Sequence, residues 1–178
     1  MPDPGFRYAR RADAAGLVHL IETAYRGADA AERWDSEAHL LRGPRTSRSE
    51  VQALVADTDS RFVLLDDLHR LLACALIQKH GAYDRRGEAA YFGMFAVHPD
   101  ARTEGLGRRL LAECERRVQT LWGAPALVLT VISLRTELMA WYERRGYRPT
   151  GQRLPFPFSD TSGETRRDFD LVELRKDF

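Results

Sequence analysis

Cysteine is scarce in this chain, with two in 178 residues, Cys74 and Cys114. Each lies inside an apolar periodic segment, so both read as small, reduced core residues. That excludes a disulfide framework and leaves no cysteine placed as a nucleophile. An excess of charge is missing too: 27 Lys and Arg face 26 Asp and Glu, for a net charge of +1. A general polyanion binder carries a clear basic surplus, so no nucleic-acid partner is expected. No apolar run approaches the roughly 18 residues a membrane helix needs, which argues against a membrane partner. Met1 to Arg11 is polar and lacks the apolar region of a secretory leader, so a cytoplasmic location is expected. The five histidines are scattered without ligand spacing, so no metal is expected.

What is present is ordinary for a globular chain: 44% apolar and 30% charged residues. A length of 178 residues fits one domain spanning residues 1–178. The first periodic segment is a helix. Asp13 is its expected N-cap, and Leu17, Leu20, Ile21, Ala24 and Tyr25 share a face before Gly27 ends it. Residues 28–46 form a long polar connection, and long connections are often functional. Ser47 and Glu50 make a capping box for a short helix. Arg61–Leu65 and Arg70–Lys79 read as a hairpin. A strand is expected over Ala89–Val97. A helix follows with Leu106, Leu110, Leu111, Cys114, Val118 and Leu121 at spacings of three and four. Ala126–Ile132 is a continuous apolar run, as in a strand buried on both faces. Ser133 is a candidate cap for a helix carrying Leu138, Met139, Trp141 and Tyr142, ended by Gly146. Two late strands close the chain, the second near Asp168–Leu174. Residues 89–132 thus form a βαβ unit, whose strands should be parallel with a right-handed crossover. The expected class is α/β or α+β, with a mixed sheet around that central unit and helices flanking it.

The chemistry concentrates between that strand and helix, in Arg102-Thr103-Glu104-Gly105-Leu106-Gly107. Glycines two apart let the backbone pass close to a ligand. Free first-turn amides and the helix dipole suit a pyrophosphate, and Arg102, Arg108 and Arg109 add positive charge. Two rival phosphate motifs fail. The P-loop pattern is absent, and the dinucleotide fingerprint breaks where Leu110 stands in place of its third glycine.

The run from Tyr91 to Leu111, YFGMFAVHPDARTEGLGRRLL, resembles the acetyl-CoA-binding motif of the GCN5-related N-acetyltransferase (GNAT) superfamily. Trp141-Tyr142-Glu143-Arg144-Arg145-Gly146-Tyr147 resembles that superfamily's FYEKLGF segment, and the element order agrees over nearly the whole chain. The opening Ala24-Tyr25-Arg26-Gly27 with Trp34 and Glu37 is similar to that of many bacterial members.

The resemblance implies a GNAT-like sheet whose parallel strands splay apart, with the pantetheine arm of acetyl-CoA in the gap. It implies that Phe95, Ala96 and Val97 carry the backbone beside that arm. One amide of that strand would hydrogen-bond the thioester oxygen. It implies that the amides around Arg102, Thr103, Glu104, Gly105, Leu106, Gly107 and Arg108 hold the pyrophosphate. Tyr142 stands at the superfamily's tyrosine position, where a phenol can protonate the leaving thiolate. Read from helical periodicity alone, Trp141 and Tyr142 would both be core aromatics, and Trp141 keeps that reading.

The chain departs from the ribosomal-protein alanine acetyltransferases at two positions. Their glutamate base falls at Thr130, and their asparagine seven residues ahead of the tyrosine falls at Arg135. Both departures count against protein N-terminal acetylation and leave the base unassigned among Glu88, Tyr91 and His98. Arg135 then either helps hold the cofactor or faces solvent. Acceptors in this superfamily bind near the first helix and the connection after it, which singles out Tyr25, Trp34 and Glu37. Asp35 and Glu37 suit an amine, whereas Arg26, Arg33 and Arg45 suit a carboxylate. The expected function is transfer of acetyl from acetyl-CoA to a primary amine of a small polar or amino-acid-like acceptor, in a ternary complex. The alternatives are a non-catalytic acyl-CoA sensor on the same fold and an acetyltransferase acting on a protein amine. A monomer and a homodimer are both compatible with the sequence.

Overall fold

Among the described residues, seven strands form one sheet in the order β1-β2-β3-β4-β5-β7-β6. The structure, a computed structural model, describes residues 5–27, 37–41, 43–67, 70–80, 87, 89–157 and 168–178, with the backbone alone at 102–104. The strands are β1 (Gly5–Tyr8), β2 (Ser60–Asp66), β3 (Leu71–Gln78), β4 (Ala90–Val97), β5 (Ala126–Ile132), β6 (Arg148–Pro155) and β7 (Asp170–Asp177). The helices are α1 (Ala14–Arg26), α2 (Arg48–Ala56), α3 (Leu106–Trp122) and α4 (Thr136–Glu143). All neighbouring strands are antiparallel except β4 and β5, the pair joined through α3. The mixed sheet with its central βαβ unit is therefore as expected.

Alternation of side chains divides the core between the two faces of the sheet. Val63 and Leu65 of β2 and Ala73, Ala75 and Ile77 of β3 pack with Leu110, Leu111, Cys114 and Val118 of α3. Phe62, Leu64, Cys74 and Leu76 point the other way, onto Leu17, Leu20 and Ile21 of α1 and Val51 of α2. Both cysteines are buried and free, as the sequence implies.

The strand that matters most breaks this alternation. Ala90 and Phe92 of β4 face α3, yet Met94 and Ala96 face α1. The register explains the switch. Cys74 pairs with Ala96 and Leu76 with Gly93, so Ala75 alone stands opposite two residues, Met94 and Phe95. This is a β-bulge, which adds a residue, bends the strand and moves later side chains to the opposite face. Met94 has φ 44°, a left-handed conformation that costs about 1–3 kcal/mol for a non-glycine residue. Burial of its side chain in the α1 cluster offsets that strain.

Several local expectations change. β1 was not legible as a strand and is held by four pairs with β2, Gly5 to Asp66 through Tyr8 to Val63. Asp13 does not cap α1 with its side chain. Its carboxylate instead takes a bidentate Arg7 guanidinium, at 2.8 and 2.9 Å, and the Arg10 N–H at 2.6 Å. Asp13 already has helical backbone angles, φ −78° and ψ −10°, so it lies inside the preceding turn and its carboxylate reaches back to Arg10. Gly27 has φ −56°, so it is not a left-handed cap. A Cβ there would lie 2.6 Å from the Thr23 carbonyl oxygen, which explains the glycine by close approach. Ser133 does not cap α4, whose N-cap is Arg135; its hydroxyl accepts the Asp170 N–H at 3.2 Å and steadies the start of β7.

Candidate functional site

β4 and β5 pair only at Ala90 with Leu127 and Tyr91 with Val128. Beyond Tyr91 the bulge carries β4 away, and a cavity of about 340 Å³ opens in the split. Its walls come from both faces of the sheet. Phe92, Phe95, Leu138 and Tyr142 lie on the α3–α4 side, whereas Tyr25, Arg26, Glu37 and Arg45 lie on the α1 side. Thr130, Val131 and Ile132 line it from β5. A split of this kind leaves strand backbone without its usual partner, so an extended ligand can lie along it as an added strand.

The N-terminus of α3 lies beyond the end of β4. Gly105 precedes the helix at φ 70°, a conformation glycine adopts without strain, and no side chain caps it among the described residues. The first turn holds no acidic residue and carries Arg108 and Arg109. Gly107 lets this turn rest on the strand, since a Cβ there would lie 3.1 Å from the Phe95 ring and 3.5 Å from the Val97 side chain. Free first-turn amides and a positive helix end form a surface that fits a pyrophosphate, and the Arg109 guanidinium turns aside onto the Phe6 ring at 5.9 Å. His98 sits apart from the cavity lining, its Nδ1 accepting the Asp100 N–H at 3.3 Å at a 3₁₀ turn.

Tyr142 of α4 is buried and also forms part of the cavity wall. Its ring meets Trp141, Tyr147 and Phe92 edge to face, with centroids 5.0, 5.6 and 6.5 Å apart. Among the described residues its hydroxyl has no hydrogen-bond partner. Burial pushes its pKa well above the ordinary tyrosine value, so it remains a phenol and a proton donor. Trp141 packs at the edge of the core, between Phe95 at 5.9 Å and the Arg145 guanidinium at 3.5 Å. Tyr25 lies across the split. Its hydroxyl donates to the Phe95 carbonyl at 2.9 Å, and burial pushes its pKa up to about 12. It is therefore a fixed phenol holding the bulged strand.

The charged lining is predominantly positive. Glu37 accepts from Arg26 at 3.2 Å and from Arg135 at 3.3 Å, one guanidinium on each carboxylate oxygen. It was expected as a holder of the amine, yet both its oxygens are engaged by arginine. Arg135 was expected to hold the cofactor or to face solvent; it is buried, at 8% exposure, and ion-paired inside the cavity wall. Arg45 stacks over the Tyr25 ring at 5.3 Å. Burial opposes its charge, but Tyr25, Glu37, Tyr91 and Glu50 outweigh that effect and hold its pKa above the ordinary value.

Of the residues singled out from sequence, Phe95, Tyr142, Tyr25 and Glu37 meet at one cavity. The backbone of 102–105 and the first turn of α3 lie together past the strand end. Trp34, Asp35, Arg33 and Glu88 fall outside the described residues, as do the side chains of Arg102, Thr103 and Glu104. Sequence reasoning missed the Met94 bulge, which opens the split. It also missed Glu173, a buried carboxylate paired across from Thr130. Only strand register reveals that pairing, 43 positions apart in the chain.

A sequence profile described as the acetyltransferase (GNAT) family matches residues 21–147. Comparison with curated protein sequences gives no match. Solved structures share the fold at low identity. The ribosomal-protein-S18-alanine N-acetyltransferase from Escherichia coli superposes with a TM-score of 0.69 at 18% identity, covering 98% of this chain and 93% of that one. The yncA protein from Salmonella typhimurium, solved with its cofactor acetyl-CoA, gives 0.71 at 15% identity over 98% and 94%. The spermidine/spermine N-acetyltransferase from Vibrio cholerae, in complex with manganese ions, gives 0.65 at 16% identity over 97% and 91%.

Proposed function

Because the chain belongs to the acetyltransferase (GNAT) family, we propose that it moves an acetyl group from acetyl-CoA directly to a primary amine of a small, polar, amino-acid-like acceptor. The observation that carries this reading is the split between β4 and β5, which joins a buried phenol on one face to a charged pocket on the other. Acetyl-CoA enters as a co-substrate, and one protein surface fits each of its parts. The amides of the 3₁₀ turn and the start of α3, from Thr103 through Arg108, receive the pyrophosphate, and Arg102 and Arg108 add positive charge to that stretch of chain. Glu104 and Leu106 belong to the same turn. The backbone of Phe95, Ala96 and Val97 lies along the pantetheine arm. A β4 amide placed at the bulge meets the thioester oxygen as it gains negative charge.

Tyr142 acts on the leaving group. As the amine attacks and the carbon–sulfur bond breaks, the Tyr142 hydroxyl proton passes to the thiolate sulfur, and the proton that the nitrogen sheds in becoming an amide returns through solvent to the phenolate. The raised pKa of Tyr142 keeps that proton in place across the working pH range. Tyr25 supports the site by fixing the Phe95 carbonyl, and it forms the acceptor wall together with Glu37 and Arg45. Thr130 and Arg135 replace the glutamate and asparagine of the ribosomal-protein alanine enzymes, so the shared fold with the Escherichia coli enzyme does not carry its acceptor across.

The test is release of the CoA thiol from acetyl-CoA across a panel of amines, for the wild-type chain and Tyr142→Phe. Turnover of at least one small amine is expected, and Tyr142→Phe should lower kcat about 10²-fold with acetyl-CoA affinity unchanged. An unchanged kcat would remove the acid role from Tyr142. No thiol release from any amine would contradict the transferase reading.

A further inference from the structure

The acceptor side of the cavity has more positive charge than its own residues neutralise. Arg26, Arg45 and Arg135 line it, and Glu37 is the one carboxylate among the described lining residues. Glu37 is shared between Arg26 and Arg135. Arg26 is further tied down by donating to the Gly43 carbonyl at 3.1 Å. Arg45 is different. Its backbone N–H is fixed by Glu22 Oε1 at 2.6 Å, and Glu22 also takes the Thr46 N–H at 2.8 Å. Its guanidinium lies on the Tyr25 ring and makes no hydrogen bond or ion pair among the described residues. A stacked guanidinium keeps its edge N–H groups free, and their planar fork matches a carboxylate. Tyr25, beneath it, is itself bonded to the bulged stretch of β4, so Arg45 is held at a set position relative to the split.

We infer that the acceptor carries a carboxylate and that Arg45 is the residue that grips it. This deepens the acetyl-transfer reading and rests on it. The carboxylate pairs with Arg45, whose guanidinium has no ion pair among the described residues, and it places the acceptor's amine toward β4. The same charge balance disfavours a polyamine, whose positive groups would meet three guanidinium groups and one carboxylate already engaged twice. The substrate named for the Vibrio cholerae neighbour is therefore not the one this pocket selects. The small cavity, shared with the end of the pantetheine arm, favours an amino acid over a larger acid.

The experiment compares kcat/KM for free amino acids, their amides and spermidine in wild type, Arg45→Gln and Arg45→Lys. Wild type should prefer each acid over its amide by about tenfold or more, the range of a charged hydrogen-bonded pair. Arg45→Gln should bring that ratio close to one, and Arg45→Lys should restore part of it. An unchanged acetyl-CoA affinity shows that the variants are folded. A preference for amides or spermidine, or an unchanged ratio in Arg45→Gln, overturns the proposal. A second arm needs no turnover: calorimetry of N-acetyl amino acids and N-acetyl amino amides against the CoA-loaded protein. Acid-selective binding lost in Arg45→Gln upholds the carboxylate grip even if no amine is acetylated, a result that would count against the transferase reading alone. Absence of acid-selective binding overturns the grip.

Discussion

Tyr142 is packed as a core residue, and the proposed transfer would use its phenol as well. Its ring is surrounded by Trp141, Tyr147 and Phe92, which removes it from water and raises its pKa. A raised pKa keeps the phenol protonated on both sides of neutrality, so its ionisation imposes no alkaline loss of activity. The account therefore predicts a pH–rate profile that rises with pH as the acceptor amine loses its proton, with no descending limb up to about pH 10, the ordinary tyrosine value. Initial rates of thiol release against pH check this, and a fall beginning near pH 8 would contradict it. The cysteines lack any such role. Burial pushes Cys74 up to about 12 and Cys114 well above the ordinary thiol value, so neither supplies a thiolate.

At the scale of elements, two contacts of α3 matter most. Gly107 seats the helix start on β4, where Phe95 is packed between Phe92 at 5.3 Å and Trp141 at 5.9 Å. Gly107→Ala should lift the helix start from the strand and weaken acetyl-CoA binding about tenfold, roughly 1.4 kcal/mol. Calorimetry against wild type measures it; unchanged affinity would separate this turn from the cofactor. Further along, Glu113 bonds Arg116 at 2.7 and 2.9 Å and Arg117 at 2.7 Å, and Arg117 stacks over Tyr8 of β1 at 4.2 Å. The Arg116 bond, with Arg117 adding to it against burial, lowers the Glu113 pKa from 4.5 to about 2. A depressed carboxylate stabilises the fold above its unfolded pKa and loses that contribution as pH falls through the folded one. Thermal melts of wild type and Glu113→Gln should therefore differ most above pH 4.5 and converge toward pH 2. A difference independent of pH would exclude this origin.

The same elements show which information was local. The βαβ unit, α3 and the glycine turn were legible because their signals lie within one stretch of chain: periodic leucines, glycines two apart, an apolar run. β1 was not, because four residues with little alternation become a strand only by pairing with β2 some sixty positions away. The bulge was hidden because the residue at positive φ is Met94, and a methionine carries none of the signal a glycine would. The pairing of Glu37 with Arg135 spans 98 positions, so its carboxylate read from sequence as available to an amine.

At the scale of the molecule, the sheet is a partition with one opening. The α3–α4 face presents the start of α3 and Tyr142, the α1 face presents the arginine-lined pocket, and the split between β4 and β5 connects them. Two substrates reaching one gap from opposite faces can be bound together, and no thiolate stands between them to take the acetyl group. Direct transfer gives sequential kinetics, with intersecting double-reciprocal lines, and an unmodified protein mass after incubation with acetyl-CoA alone. Parallel lines or an acetylated protein would indicate a covalent intermediate.

The central claim is that the split and the start of α3 form an acetyl-CoA site. Calorimetric titration of the purified protein with acetyl-CoA, with dephospho-CoA and NAD as comparisons, tests it most directly. Saturable one-site binding selective for acetyl-CoA is the predicted result. No heat of binding with millimolar acetyl-CoA would contradict this assignment, and the split in the sheet would then serve some other ligand.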